Sequence, residues 1–273
     1  MSDIDAADVI HTKIWREEAE YDNPFAARTA YCRGYDVYGE MVGQARWVEM
    51  LFLLMRGERP EPAAMELLEA LAVALANPGP RDASIHAAMC GGVGGSTAAA
   101  SLIAALSVGA GRYGGAREVF DAMTVWQQCG NNLTAWQAAV PLAISDPIEV
   151  WPAREHAPGF DPHGVSTAGT VRQLLKKLAE ISSTPHLIWL HHNLAHVEKS
   201  IGLPLAISGV AACALFDLGF MPAEGEMLFL MLRLPGAAAH ALEQQGHGYK
   251  RFPFYPVELQ DATSAALLPK EAV

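Results

Sequence analysis

The sequence predicts an all-α protein, and two observations support this class. Apolar side chains recur every three or four residues along eight segments, which places them on one face of a helix. Long runs that alternate apolar and polar side chains, as half-buried strands do, are absent from the sequence. The predicted helices span residues 46–55, 63–75, 96–108, 116–126, 170–181, 189–199, 207–218 and 223–244.

Proline and glycine mark where these helices begin and end. The helix at 63–75 follows Pro60 and Pro62, since proline is tolerated in a first turn. It stops before the sequence Asn-Pro-Gly-Pro at 77–80. Further breaks between helices are expected at 109–115, 147–169 and 252–256.

The break at 147–169 is the longest. A loop of about twenty residues inside a compact domain is usually functional or disordered. This one combines several prolines and glycines with His156, Asp161 and His163. Its polar and aromatic side chains favour a functional loop.

Length and composition exclude several classes of protein. The chain has 273 residues, of which 51% are hydrophobic and 18% are charged, so a disordered polymer or a disulfide-stabilised miniprotein is excluded. Its 19 basic and 30 acidic residues give a formal charge of −11. This charge argues against nucleic acid and anionic membrane surfaces as partners.

The cysteines and the N-terminal sequence both bear on the compartment of the protein. The nearest pair of the four cysteines, Cys90 and Cys129, is 39 positions apart, so neither a CxxC metal knuckle nor a disulfide framework is predicted. The N-terminus is acidic and lacks the basic start and apolar stretch of a signal peptide. No apolar run approaches the roughly 20 residues that a membrane-spanning helix needs. We therefore expect a soluble, cytoplasmic protein.

Two glycine-rich segments imitate nucleotide-binding motifs. Residues 109–114 (GAGRYG) match the letters of a dinucleotide fingerprint, but a predicted helix precedes them where that fingerprint needs a strand. Residues 90–97 (CGGVGGST) resemble a phosphate loop but lack the lysine that precedes Ser or Thr there. A close crossing of two helices explains the second set of glycines better.

One pair of histidines has metal-ligand spacing, whereas the serines lack a hydrolase motif. His192 and His196 have the spacing that places two imidazoles on one helix face for zinc, but no glutamate completes an HExxH motif. We favour hydrogen-bonded structural histidines near a domain joint over a metal site, and no metal is expected. No Gly-x-Ser-x-Gly elbow is present, which argues against a serine hydrolase.

Six segments follow one another in the order found in a known family. They are RGYDV at 33–37, LLMRGERP at 53–60, DASIHAAM at 82–89, PGF at 158–160, SGVAACALFDLGF at 208–220 and AHALEQ at 239–244. In this order they resemble the citrate synthase superfamily over roughly residues 33–256. The stretch from His86 to Gly115 is similar to the citryl-CoA lyase domain of ATP-citrate lyase.

The resemblance implies a citrate-synthase-like all-α fold with two domains and a site in the cleft between them. A large domain would comprise residues 1–120 and 205–273, with a smaller mobile domain at 121–204, and the protein would be a homodimer. In that family a carboxylate removes a proton alpha to a CoA thioester, while histidines donate hydrogen bonds to the oxygens that gain charge. The implied ligands are a coenzyme A thioester as substrate and an oxo acid or hydroxy acid, with no tightly bound cofactor.

Three positions depart from the chemical pattern of the family. Tyr113 stands where synthases have the histidine of HGGA, although the ATP-citrate lyase domain is also aromatic there. In the loop, GFDPH at 159–163 replaces GFGH, so His163 is displaced by one residue. Ser208 replaces the catalytic aspartate, and a serine hydroxyl is not a base near neutral pH without a partner.

Substitutes for these groups must come from elsewhere in the sequence. The candidates for chemistry are Tyr113, His163, His86, Asp161 and Ser208. The candidates for holding the CoA ester are Arg112, Gly159, Phe160 and Arg251. An acidic protein that binds an anionic ester also needs local positive charge, so we expect four arginines to cluster near the cleft: Arg33, Arg81, Arg112 and Arg251.

Two functions stay open on the sequence. The first is an enzyme like citryl-CoA lyase or citrate synthase that cleaves or forms a C–C bond alpha to a CoA thioester. It would convert a 3-hydroxyacyl-CoA to an acyl-CoA and an oxo acid, or run the reverse reaction. The alternative, suggested by the missing aspartate, is a family member without turnover that binds an acyl-CoA, a carboxylate or a protein partner.

Overall fold

The computed structural model describes residues 11–139, 156–181 and 183–251. Helices account for most of these residues, which confirms the predicted all-α class. In chain order they are α1 Trp47–Arg56, α2 Pro62–Leu75, α3 Ala83–Val93, α4 Ala98–Gly109, α5 Ala116–Cys129, α6 Leu133–Ala139, α7 Gly169–Ala179, α8 Pro185–Ile201, α9 Ile207–Asp217 and α10 Pro222–His247. Within the described residues, no helix is long and apolar enough to cross a membrane.

The structure confirms the eight predicted helices and adds α3 and α6. The apolar periodicity of α3 is weak because small residues dominate it, and its start is fixed instead by Asp82, whose carboxylate accepts a hydrogen bond from the Ser84 amide at 2.9 Å. Helix α8 begins before its predicted start at residue 189. The buried Asp217 carboxylate caps it by accepting from the backbone amides of His186 at 3.1 Å and Leu187 at 2.9 Å. The predicted break at 252–256 and the first part of the loop at 147–169 lie outside the described residues.

A small antiparallel sheet precedes the helices, and the sequence did not predict it. Its strands are β1 Trp15–Ala19, β2 Ala27–Cys32 and β3 Tyr35–Asp36, in the order β1-β2-β3. The strands escaped prediction because they are short and because β1 (WREEA) has too few apolar residues for an alternating pattern. The sheet is tied to the helices where Cys32 packs with Met41 and Leu53.

Helix α5 lies at the centre of the main core. Trp126 is buried there, and its ring meets those of Trp136, Trp189 and Phe216 at centroid distances of 4.7, 6.1 and 6.1 Å. Burial of a large aromatic side chain contributes several kcal/mol, roughly 3–5 by the usual loss on truncation to alanine. Ala116 and Val119, at the N-terminal end of α5, are buried in the same core, and this end carries the candidate site.

A second core joins α3, α4 and α10 through small residues. A Cβ atom on Gly92 would overlap the backbone carbonyl of Ala241, and one on Gly91 would lie 2.6 Å from the Ser101 Oγ. Both glycines are therefore needed because the helix backbones approach closely. This confirms the interpretation of segment 90–97 as a helix crossing. Helix α4, and not a strand, precedes the GAGRYG segment.

Candidate active site

A cavity of about 530 Å³ opens where three segments meet. These are the turn between α4 and α5, the loop at 156–163 and the first turn of α9. Its described lining consists of Tyr113, Gly114, Glu118, His156, Phe160, Asp161, Pro162, His163, Ala206, Ile207 and Ser208. All three segments contain candidate site residues that the sequence predicts.

Close backbone contacts hold the three segments together. Gly159 has a φ of +87°, which favours glycine, and its carbonyl accepts a hydrogen bond from the Ala206 amide at 3.0 Å. A Cβ atom on Gly209 would overlap this same carbonyl. The Asp161 amide donates to the Pro204 carbonyl at 2.8 Å, so the loop runs antiparallel to the chain that enters α9.

The buried carboxylate of Glu118 connects all three segments. Only 3% of this residue is exposed. Its Oε1 atom accepts hydrogen bonds from the Gly159 amide and the Ser208 hydroxyl, each at 2.9 Å. Its Oε2 atom accepts from the Gly114 amide. One side chain thus fixes the position of a turn, a loop and a helix start.

The pKa of Glu118 is lower than usual. Burial acts to raise this pKa, but the His156 imidazole, the Gly114 and Gly159 amides and the Ser208 hydroxyl together outweigh burial and lower it. Glu118 is therefore an anion at neutral pH. Because its oxygens are occupied by donors and its pKa is low, it is a weak base.

His156 lies beside Glu118 in the cavity wall. The residue is 8% exposed, and its Nε2 atom is 3.9 Å from Glu118 Oε1. The ring of Tyr113 lies over it with a centroid distance of 5.7 Å. The buried Nδ1 atom of His156 has no hydrogen-bond partner in the part of the chain that the structure describes.

No family model matches the sequence, and no curated protein matches it. Solved structures do match. Citryl-CoA lyase from Hydrogenobacter thermophilus superposes with a TM-score of 0.68 at 18% identity over 97% of this chain and 98% of that one.

Two further solved structures match less fully. ATP citrate lyase from Methanothrix soehngenii, in complex with citrate and coenzyme A, matches with a TM-score of 0.66 at 17% identity over 92% of this chain and 42% of that one. Citrate synthase from Thermoplasma acidophilum, in a ternary complex with carboxymethyl coenzyme A and oxaloacetate, matches with a TM-score of 0.56 at 15% identity. This match covers 81% of this chain and 60% of that one. The chain has a citrate-synthase-like all-α fold. At these identities the likeness establishes the fold.

Five of the predicted site residues line the cavity of this citrate-synthase-like fold. They are Tyr113, His163, Asp161, Ser208 and Phe160. Gly159 stands next to them and donates its amide to Glu118. Ser208 lies in the first turn of α9, at the position of the aspartate in the family pattern. Its hydroxyl donates a hydrogen bond to Glu118. The chemical roles of these residues stay predictions.

The other predicted residues lie elsewhere. His86 is on α3, Arg112 is exposed in the turn before α5, and Arg251 follows α10; none of them belongs to the described lining. Arg33 and Arg81, the other two members of the expected arginine cluster, do not line the cavity within the described residues either. Arg33 instead donates to the Leu54 carbonyl at 3.0 Å.

A different arginine stands behind the cavity wall. Arg233 of α10 is 6% exposed, forms an ion pair with Asp82 and donates to the Gly114 carbonyl at 3.4 Å. Its sequence position does not single it out, because it lies inside a long apolar helix. A charged residue on such a helix is a signal, since arginine is rarely buried without a partner.

Glu118 was also missed, although the sequence contains a signal for it. It shares a helix face with Ala122 and Trp126, at intervals of four residues, and both are buried. A carboxylate on the apolar face of a helix calls for buried donors. A glutamate in the first turn of a helix is usually interpreted as a surface charge near the helix dipole, so the sequence alone does not indicate that Glu118 is buried.

No metal centre emerges from the described residues. His192 and His196 are exposed on α8, and the described part of the chain contains no group of three His, Cys, Asp or Glu side chains placed to hold a metal ion. The four cysteines are free; Cys90 is exposed, and the other three are buried.

Proposed function

We propose that the cavity holds the acyl part of a CoA thioester and that the chain cleaves or forms a C–C bond next to the thioester carbonyl. The supporting observation is that the cavity joins the three segments that resemble the chemical segments of the superfamily. Solved structures of the same fold carry citrate with coenzyme A, or carboxymethyl coenzyme A with oxaloacetate. The reaction would split a 3-hydroxyacyl-CoA into an acyl-CoA and an oxo acid, or join them.

The electrostatics of the cavity are compatible with a carboxylate-bearing ligand despite the net charge of −11. Ala206, Ile207 and Ser208 place the N-terminal end of α9 in the wall, where helix amides carry partial positive charge. Arg233 lies directly behind Gly114, although Asp82 offsets part of its charge.

The lining supplies donors and a carboxylate for enolate chemistry. Tyr113, 63% exposed, and the exposed His163 are placed to donate to oxygens of the ligand. Asp161 contributes a half-buried carboxylate, one oxygen of which accepts from the His163 amide at 2.9 Å. Ser208 is engaged with Glu118, so it acts as a holder of that carboxylate and not as a base.

One observation favours the second candidate, a binding protein without turnover. Glu118, which is close to the site of the missing aspartate, already accepts three hydrogen bonds and has a lowered pKa. If no other group moves a proton, the cavity would bind an acyl-CoA or carboxylate without chemistry. Turnover of a bound CoA ester separates the two functions.

Turnover of (3S)-citryl-CoA and related 3-hydroxyacyl-CoA esters tests the proposal. We expect the purified chain to release an acyl-CoA and an oxo acid, and Ile207→Trp to weaken ester binding at least tenfold because it fills the cavity from the start of α9. Val165→Trp is the matched control, since Val165 is fully exposed near the same loop and does not line the cavity. Binding without turnover would support the second function, and absence of both would contradict the proposal.

We further propose that the cavity is the cleft between a large domain (1–120 and 205–273) and a mobile domain (121–204). The cavity lining includes residues of both domains.

We also propose a homodimer in which helix α4 faces the partner. Helix α4 is almost wholly apolar, yet its Ala98, Ala99 and Ala100 are exposed and Ile103 is 61% exposed. Such a contiguous apolar surface is typical of an interface.

Sedimentation velocity tests the homodimer. The wild-type chain is expected at twice the mass of one chain, and Ile103→Glu is expected to shift it to a monomer. Val73→Glu, on a 71% exposed position of α2, serves as the control and should leave the dimer intact. A monomeric wild-type protein would contradict the proposal.

A further inference from the structure

The wall of the cavity carries negative charge. Glu118 belongs to this wall, and although burial acts to raise its pKa, the surrounding hydrogen-bond donors lower it, so Glu118 is an anion at neutral pH. Asp161 adds a half-buried carboxylate. The other side chains of the described lining are aromatic, apolar, hydroxyl or imidazole groups, none of which carries a permanent positive charge. A ligand in this cavity therefore meets two carboxylates.

The buried arginine behind the cavity offsets this charge only in part. Arg233 lies outside the described lining and reaches the wall at the Gly114 carbonyl, to which it donates at 3.4 Å. Its guanidinium is also paired with Asp82. Two opposite charges in contact cancel most of their field at a distance, so Arg233 leaves the anion of Glu118 largely uncompensated. Each carboxylate that a ligand brings into the cavity is then repelled.

Four apolar side chains belong to the described part of the same wall. Phe160 and Pro162 line it from the loop, and Ala206 and Ile207 line it from the entry to α9. Ile207 is 37% exposed at the first position of α9, so its side chain is available to a ligand. An alkyl group gains free energy when it leaves water for such a wall, whereas a carboxylate loses hydration there.

We propose that the preferred substrate is a 3-hydroxyacyl-CoA whose hydroxyl-bearing carbon carries a single carboxylate and an alkyl group; this rests on the proposed function. The carboxylate lies at the start of α9, where helix amides carry partial positive charge, and the alkyl group contacts Phe160, Pro162 and Ile207. Cleavage breaks the bond between the alpha carbon and the hydroxyl-bearing carbon. The electron pair of this bond and the hydroxyl hydrogen end on the alpha carbon. The products are an acyl-CoA and a 2-oxo acid that carries the alkyl group.

A matched pair of esters tests this substrate class. The first is (3S)-citryl-CoA, which has two free carboxylates, and the second is its analogue with a methyl group in place of the free carboxymethyl group. We expect kcat/KM to be at least about tenfold higher for the methyl analogue, because Glu118 repels the second carboxylate and the apolar wall desolvates it.

The outcomes separate this inference from the proposed function. An equal or higher kcat/KM for citryl-CoA would overturn the substrate class, while the proposed function stands. If both esters bind without turnover, the same tenfold ratio is sought in their Kd values, and its absence overturns the substrate class. If neither ester binds or turns over, the proposed function fails together with the inference.

A positive charge added to the lining should reduce the preference. Ile207→Lys places an ammonium group in the wall, where it can pair with the second carboxylate of citryl-CoA. We expect the ratio between the two esters to fall at least about tenfold. Val165→Lys is the matched control, because Val165 is fully exposed and outside the described lining, and it should keep the ratio within about twofold. An unchanged ratio in Ile207→Lys, with the circular dichroism of a folded protein, would overturn the proposal.

Discussion

Glu118→Ala is expected to lower the free energy of unfolding by about 3–5 kcal/mol. The substitution removes the acceptor for the Gly159 amide and the Ser208 hydroxyl, both of which are buried. It also breaks the connection between α5, the loop at 156–163 and α9. Urea unfolding followed by circular dichroism at pH 7 measures the loss. A loss below about 1 kcal/mol would contradict the structural role assigned to this carboxylate.

Glu118→Gln is the matched variant that keeps the size of the side chain and removes its charge. The pKa of Glu118 is lowered in the folded protein, so its charge stabilises the fold above the unfolded value of about 4.3. This contribution is lost as the pH falls through the folded pKa. The gap in unfolding free energy between wild type and Glu118→Gln should therefore be largest near neutral pH and shrink below about pH 4. A gap that does not change with pH would contradict this explanation.

Gly209→Ala is expected to cost about 3 kcal/mol, in the upper part of the usual range for overpacking, and to abolish ligand binding in the cavity. The new Cβ would overlap the Gly159 carbonyl and lie 2.9 Å from Leu205 Cδ1. A backbone oxygen cannot move aside without breaking its hydrogen bond from the Ala206 amide. The loop would separate from α9, and the cavity between them would lose its shape.

Gly169→Ala provides the control for this glycine. Gly169 begins α7, and no atom lies within 4 Å of the position that a Cβ would take. Its replacement should change the unfolding free energy by less than about 1 kcal/mol. Similar thermal midpoints for Gly209→Ala and the wild type would contradict the close packing of Gly209 against Gly159.

The fold was predictable wherever local patterns decide it. Eight helices followed from apolar periodicity because each buries one face against a neighbour. The sheet at β1–β3 was missed because its strands are short and β1 has few apolar residues. Helix α3 was missed because small residues at a helix crossing dominate it. Asp217 shows the same limit, because it caps α8 from a position 31 residues further along the chain than His186.

The site was predictable in part. The family pattern singled out Tyr113, Asp161, His163 and Ser208, and the fold brings these four to one cavity. Glu118 was missed because its significance lies in pairing: it contacts Gly159 and Ser208, which are 41 and 90 positions away. No local motif encodes such contacts. The predicted arginine cluster rested on positions in the sequence alone. The arginine that lies behind the cavity, Arg233, is placed there by the packing of α10.

A crystal structure with a bound, non-hydrolysable CoA thioester is the most direct measurement. We expect the acyl group in the cavity bounded by Tyr113, Phe160 and Ser208. Glu118 should keep its three hydrogen bonds in the complex. An acyl group bound on another surface, with the Glu118 cavity empty, would contradict the central claim that this cavity is the active site.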